Sequence, residues 1–380
     1  MIGASSFTDA KSQSFREEIR NWIATTRPAE WDSGLSQAVA HDEAIRRRRE
    51  WDRMIYDAGY AGLTWPTEYG GRGLGLIEEF IFFQEVARSG APDLLNFIGF
   101  DLAGPAILTY GTDEQKAEFL PRILTGRDLW CEGFSEPDAG SDLANVSTKA
   151  SWDESSDSWV VSGQKIWTSH AQIADRCYLL VKSADNMPKR HNLSVLLLDM
   201  RQPGIEVRPI RQITDDYEFN ELFLTEVRVP RNCLLGEENE GWQLGALAGF
   251  RGDRRVFDAL RRLVQMGRMA SQLAACARSR SERAAAERLV EEVSLVELHV
   301  MRCSEQIVHG RESGRSGSIM RLAWSLLWQR IVAAGLDTGC REHEAFWRHQ
   351  YLYARSLTIA GGTAQIQRNI IAQRVLDLPR

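Results

Sequence analysis

The feature that most constrains this chain is a change of hydrophobic period that happens twice along its length. From Ser14 to about Gly126 apolar residues recur at three- and four-residue steps, and SFREEIRNWIATT places Phe15, Ile19, Trp22 and Ile23 on one helical stripe. Between about Trp130 and Pro230 the runs become short and β-branched or Leu-rich: WVVSGQKIW, CYLLVKS, LSVLLLDM, IEVRPI and ELFLTEVRV, with polar turns between them. That is strand grammar. From Gly241 helical periodicity returns, first in Val256, Leu260, Leu263 and Val264, then in Leu289, Val293, Val296 and Val300. No long helical pattern interrupts the middle runs, so the sheet is expected to be antiparallel or barrel-like and not doubly wound. At 380 residues the chain exceeds one core. The expected division is an N-terminal helical domain over 1–126, a central β-domain over 127–236 and a C-terminal helical bundle over 237–380.

Local signals sharpen this. Thr112 followed by Gln115 opens TDEQKAEFLPRIL as a capping box. LIEEFIFFQEVARSG carries an apolar face broad enough for a buried helix. A net charge of only -6 supplies no field towards nucleic acid or an anionic membrane. The six cysteines are far apart with no CxxC pair, so neither a disulfide framework nor a zinc ribbon is expected, which fits a reducing cytoplasm. The N-terminus lacks the basic and apolar regions of a signal peptide. No apolar run reaches the ~20 residues of a membrane helix, so a soluble, cytoplasmic chain is expected.

Several motifs are better explained without chemistry. Gly71-x-Gly73-x-Gly75 follows WPTEY and not an apolar strand, so a loop is favoured over a dinucleotide fingerprint. The Arg46–Arg49 run reads as a solvated helix face. Seven histidines show no HExxH spacing, and His299 with Cys303 is an isolated pair, so no metal site is expected. Gly140-Ser141 is no GxSxG elbow, which disfavours a serine hydrolase.

Five segments, in order, carry a resemblance: EYGGRG (68–73), GFSEPDAGSD (133–142), GQKIWTSHAQIAD (163–175), GEENEGW (236–242) and GGTAQIQRNIIAQRVL (361–376). Together they resemble the acyl-CoA dehydrogenases over nearly the whole chain. FSEPDAGSDLA and DMRQPGIEVRPIRQITDDYEFNELF are similar to a bacterial subgroup acting on bulky acyl-CoAs, steroid side-chain enzymes included. The resemblance implies a mainly α fold with a central β-domain: a helical N-domain, a β-barrel-like middle domain and a C-terminal four-helix bundle, with FAD between the last two.

A flavin is a flat, partly apolar ring with polar edges, so its site needs an aromatic wall, hydroxyl and backbone partners, and donors for the pyrophosphate. Phe134-Ser135 and Trp167-Thr168-Ser169 supply those types from two strand ends. By resemblance, Ser135 and backbone near Phe134 meet the ring edge, Trp167 flanks the ring, and Ser169 is the hydroxyl near its N5. Gly140-Ser141-Asp142 offers a turn whose N–H groups can approach phosphate. Read alone, FSEPDAGSD is better taken as a surface turn, and only its company with the WTS strand and the C-terminal Gly-Gly-Thr reverses that; Trp167 reads also as a core aromatic. Gly361-Gly362-Thr363 permits a tight bend, or a helix C-cap. By resemblance Gly362, Thr363 and Gln365 lie near the FAD phosphates.

Dehydrogenation of an acyl-CoA requires a carboxylate of raised pKa beside the thioester to take the Cα proton. Relatives carry that glutamate just before the C-terminal Gly-Thr, or in a Glu-Arg pair on the helix after the GEENEGW-type loop. Here the matching positions are Gly361 and, counted without gaps from Trp242, Gly252. A one-residue shift reaches Asp253, followed by Arg254, an acid-Arg pair that becomes the preferred catalytic candidate; a plain helix N-terminal acid is the alternative.

The expected activity is FAD-dependent α,β-dehydrogenation of an acyl-CoA, an oxidoreductase step on a CH–CH bond, with electrons passed to an electron-transfer flavoprotein. Family habit implies a homodimer or tetramer, but the usual partner-side Arg…Phe-Gly and Gln-x-x-Gly-Gly motifs are not recognisable. Two alternatives follow from the absent glutamates: another reaction of an acyl-CoA such as desulfination, or a base-lacking subunit of a heterotetramer.

Overall fold

The computed structural model describes residues 7–31, 41–244, 252–311, 315–338 and 343–379, and of residues 252–258 it describes the backbone alone. Helices α1 (Ala10–Thr26), α2 (His41–Asp57), α3 (Leu76–Ser89), α4 (Gly104–Tyr110) and α5 (Asp113–Leu124) come first. Strands β1 (Trp130–Gly133), β2 (Lys149–Asp153), β3 (Ser158–Ser169), β4 (Arg176–Lys182), β5 (Leu193–Asp199), β6 (Ile205–Pro209), β7 (Phe219–Pro230) and β8 (Leu234–Leu235) follow. Helices α6 (Gly252–Cys276), α7 (Arg280–Val308), α8 (Arg315–Asp337), α9 (Glu344–Leu357) and α10 (Ala364–Ile370) end the chain. These elements fall into two compact units, one of residues 1–47, 74–93 and 250–380, the other of residues 48–73 and 94–249.

In the first unit, α1 starts where the Asp9 carboxylate accepts a bond from the Ser12 N–H at 2.7 Å. Its buried face is Phe15, Ile19 and Ile23, the stripe read from the sequence, while Trp22 leans on Phe82 at 6.2 Å. Buried Arg16 pairs with buried Glu85 of α3, and Arg20 reaches the same carboxylate at 2.7 Å. Packing of α6 on α7 and α8, α7 on α8, and α8 on α9 makes the helical bundle. Trp324, Trp328 and Trp347 fill it.

In the second unit the strand order runs β6-β7-β3-β2-β4-β5-β8, with β1 also on β4. The sheet is mixed: β1 and β2 run parallel to β4, and the remaining pairs are antiparallel. The antiparallel half of the expectation is therefore corrected, because β1 and β2 divide one edge of β4 between them. Val161, Leu179, Leu196, Leu222 and Val227, from strands far apart in the order, share one apolar cluster, so the sheet curls about its own core. Fully buried Asn96 ties this sheet to the preceding helices. Its Oδ1 accepts from Trp130 N–H at 3.0 Å, and its Nδ2 donates to the Asp128 carbonyl at 3.0 Å. Asp52 in turn accepts from the Asn96 N–H at 3.0 Å. These bonds fix where β1 begins, and β1 leads into Phe134 and Ser135.

Three sequence expectations change in detail. Arg46 and Arg47 do pair locally with Glu43, but Arg48 of the same run donates to the Leu94 carbonyl at 2.6 Å and lies 3.3 Å from His170 Nε2. Cys131, Cys177, Cys233 and Cys303 are free, whereas Cys276 is disulfide-bonded, since proximity in space and not sequence spacing decides pairing. Trp167 is not a core aromatic; its ring lies on the surface of its unit.

Candidate functional site

The Phe134–Ser141 segment is held from beneath. Lys165 on β3 is fully buried, and its ammonium donates to the Phe134 carbonyl at 3.1 Å and to Glu136 Oε1 at 2.9 Å. Glu136 also accepts from the Ser147 N–H at 2.7 Å, the Ser147 hydroxyl at 2.6 Å and the Thr148 N–H at 2.8 Å. Burial pushes the Glu136 carboxyl up, but Lys165 and these donors outweigh it and hold the group at about 2. Burial pulls Lys165 down to about 8 against the opposing pull of Glu136. Four donors on one carboxylate decide for the ionised pair at neutral pH.

From this anchor the chain turns sharply. Glu136 and Ala139 exchange backbone bonds of 3.1 Å each, closing a turn over Pro137 and Asp138. Gly140 and Ser141 then emerge exposed. A Cβ placed on Gly140 would have no protein atom within 4 Å, so the chain's own packing does not require a bare residue there.

On the facing strand end, the Ile166 N–H donates to the Ser135 carbonyl at 2.9 Å, joining the two motifs. The β3–β7 ladder shifts register between Lys165 and Thr168, a bulge. Inside it Trp167 takes φ 64, a left-handed conformation that costs energy for a bulky residue. The bulge turns the indole outward: Trp167 is 57% exposed, held edge-on by Phe219 at 6.2 Å. Thr168 is 1% exposed, yet its hydroxyl has no hydrogen-bond partner among the described residues. Buried Asn220 fixes the Thr168 backbone by donating to its carbonyl at 3.0 Å. Ser169 follows, half-buried, and then His170, buried beside Arg48. The structure thus brings together Phe134, Ser135, Trp167, Thr168 and Ser169.

In the other unit, Gly361 (φ 63) and Gly362 (φ 92) both turn left-handed between α9 and α10. Thr363 caps α10, its hydroxyl accepting from the Ile366 N–H at 3.2 Å, and Gln365 is exposed on the first turn. Buried Gln367 holds the bend by donating to the Gly361 and Gly362 carbonyls at 3.2 Å each. Asp253 and Arg254 lie in the first turn of α6, and their side chains are outside the described residues.

Lys165, Glu136 and Gln367 are site-forming residues that sequence reasoning missed, although each stands inside a quoted motif. The available signal was a charged pair within two strand-end motifs and a second glutamine after Gly-Gly-Thr.

The arrangement fits a flat ring with polar edges on four counts: an exposed indole in a costly conformation, an orphaned buried hydroxyl beside it, a half-buried serine, and a bare exposed glycine. No group of side chains able to hold a metal ion occurs among the described residues. Nor, among them, is any helix long and apolar enough to cross a membrane.

Comparison with known proteins agrees with the geometry. Family models described as acyl-CoA dehydrogenase N-terminal, middle and C-terminal domains match residues 9–127, 131–227 and 253–376. Acyl-CoA dehydrogenase IpdE1 of Mycolicibacterium smegmatis is 38% identical, over 97% of this chain and 98% of its own. The crystal structure of the ChsE4-ChsE5 complex from Mycobacterium tuberculosis superposes with TM-score 0.79 at 27% identity, covering 100% of both chains. A variant of the Tcur3481-Tcur3483 steroid ACAD gives TM-score 0.82 at 25% identity, covering 97% of this chain and 98% of that one. The chain belongs to the acyl-CoA dehydrogenase family and has its fold.

Proposed function

We propose that this protein binds FAD and carries out α,β-dehydrogenation of an acyl-CoA thioester, with electrons leaving to an electron-transfer flavoprotein. The observation that carries the proposal is Trp167, an indole displayed on the surface at the expense of a left-handed backbone, beside the orphaned Thr168 hydroxyl. Such a display is accounted for by a ligand that covers it.

FAD, when bound, supplies the hydride acceptor for such a reaction. The chain's residues do the remainder. Phe134, Ser135, Trp167 and Ser169 orient the ring, and Thr168 offers it a hydroxyl. Gly140 and Ser141 present backbone N–H groups to the pyrophosphate. Gly362, Thr363 and Gln365 are the proposed contacts to its phosphates. Asp253, beside Arg254, takes the Cα proton of the substrate. The relative characterised as a steroid ACAD supports a ring-bearing acyl group over a simple chain.

The test is direct. Purified protein should be yellow, an acyl-CoA panel should bleach the flavin and reduce a dye acceptor, and the product should be lighter by two hydrogens alone. A panel that does neither sinks the dehydrogenase reading, and a product that has lost another group points to a different elimination.

A second reading is favoured by two observations: Gly361 and Gly252 stand at the positions matched to the family glutamates, and a structural relative was solved as a complex of two differently named chains. In that reading this chain supplies the flavin cradle, and a different subunit supplies the base. Poor flavin content in the chain alone, restored by a partner chain, supports it. An active homo-oligomer removes it.

A further inference from the structure

Two non-glycine residues in the left-handed region bracket the proposed flavin hydroxyls: Trp167 at φ 64 and His170 at φ 59, with Thr168 and Ser169 between them. One such residue is uncommon, and a pair of them around a site means backbone held against its own preference. The bulge in the ladder with β7 accounts for Trp167. His170 lies beyond the last pair of that ladder, Ser169 with Phe219, so something else must hold it.

What holds it is a chain of contacts that starts on α2. Arg48 and Asp52 stand four residues apart, on one helix face. Asp52 accepts from the Leu95 and Asn96 N–H groups at 3.2 and 3.0 Å, and Arg48 donates to the Leu94 carbonyl at 2.6 Å, so α2 grips this segment twice. The other arm of the Arg48 guanidinium lies 3.3 Å from His170 Nε2. A guanidinium only donates, so Nε2 is the acceptor of this contact. Glu218 Oε1 stands 3.9 Å from the same nitrogen, beyond bonding range, so Arg48 is the contact that fixes the ring there. Phe97, next to the gripped segment, meets the imidazole edge-on at 6.1 Å. On the backbone, the His170 N–H donates to the Glu218 carbonyl at 2.8 Å, and the His170 carbonyl accepts from the Ile173 N–H at 3.0 Å. His170 is buried and pinned at ring, amide and carbonyl.

Pinning at 170 is felt at 169. Rotation about the φ bond of His170 swings everything before it relative to everything after it, and the first side chain before it is the Ser169 hydroxyl. We propose that His170 is a positioning residue for the flavin: clamped by Arg48, it holds the Ser169 hydroxyl at the place proposed to face the ring's N5. The assignment rests on the flavin reading above and adds to it the residue that sets the geometry of that contact.

The experiment follows bound flavin in the flavin-loaded protein by its visible spectrum, its reduction potential and its rate of release. His170→Gln keeps an acceptor at the reach of Nε2 and should behave like the wild-type protein. His170→Gly adopts the backbone conformation freely but gives Arg48 nothing to hold. It should shift the flavin spectrum and potential and release flavin about tenfold faster, the worth of one charge-assisted hydrogen bond. In a Ser169→Ala background the same glycine should add little, because the hydroxyl it positions is gone. Arg48→Met cuts the clamp from its other end and should reproduce the glycine result, which keeps the test open if His170→Gly does not fold. A folded His170→Gly protein indistinguishable from wild type overturns the proposal, since backbone conformation alone would then suffice. Additive effects of His170→Gly and Ser169→Ala overturn it too, leaving His170 a stabilising residue with no tie to the hydroxyl. A folded wild-type protein that takes up no flavin, with or without a partner chain, overturns the flavin reading itself.

Discussion

Lys165 and Glu136, one on β3 and the other in the turn after β1, make a 2.9 Å ion pair from which water is almost wholly excluded. Because the same ammonium also holds the Phe134 carbonyl, the pair ties a charge interaction to the position of a backbone proposed to meet the flavin. Lys165→Met should leave Glu136 buried without a counter-charge, lowering stability by about 3–5 kcal/mol, and should reduce flavin content in parallel. Thermal unfolding and the absorbance ratio of the purified protein check both. The pH sign follows from Glu136, whose folded-state value of about 2 lies below its ordinary 4.5. Its contribution is complete above the ordinary value and is lost as pH falls through about 2. In Lys165→Met that acid-range loss should shrink.

Trp167 tests display against packing. Trp167→Ala should change unfolding stability by no more than about 0.5 kcal/mol, as exposed positions do. FAD should nevertheless dissociate at least tenfold more readily, as a lost aromatic wall worth ~1.4 kcal/mol requires. Unchanged retention would remove Trp167 from the cofactor site.

The glycines at 140 and 362 should respond in opposite ways to alanine. Gly362→Ala combines φ 92 with a Cβ 2.7 Å from Gln367 Nε2, so a destabilisation of about 1–3 kcal/mol in urea unfolding is expected. Gly140→Ala adds a methyl group to open space and should leave unfolding unchanged. It should still weaken flavin retention, because on the proposed reading the added methyl group would stand where the pyrophosphate approaches.

Asp253→Asn should abolish flavin reduction by acyl-CoA while leaving flavin content intact. Unchanged single-turnover reduction would take Asp253 out of the mechanism.

Much of the molecule was legible because its signals are local. The Thr112–Gln115 capping box is present as read, with bonds of 3.1 and 3.2 Å in the two directions. The α1 stripe and the burial of Leu289, Val293 and Val300 follow directly from period. What escaped depends on pairing across distance. Parallel contact of β1 with β4 joins residues some 46 positions apart, and no alternation pattern encodes it. The bulge that turns Trp167 outward arises from its ladder with β7, and tryptophan carries no propensity for positive φ that could have announced it. The flavin candidates at 134–135 and 167–169 were legible by type, whereas the charge pair beneath them was not.

The double left-handed bend before Thr363 has a chemical consequence. With Gly361 at φ 63, any residue bearing a Cβ there would begin with a conformational handicap, so this loop is shaped for backbone alone. Restoring a glutamate would thus ask the peptide to carry a carboxylate on a hinge folded for hydrogen. On the proposed reading this loop serves the cofactor through its backbone, and the proton falls to Asp253 on α6 instead.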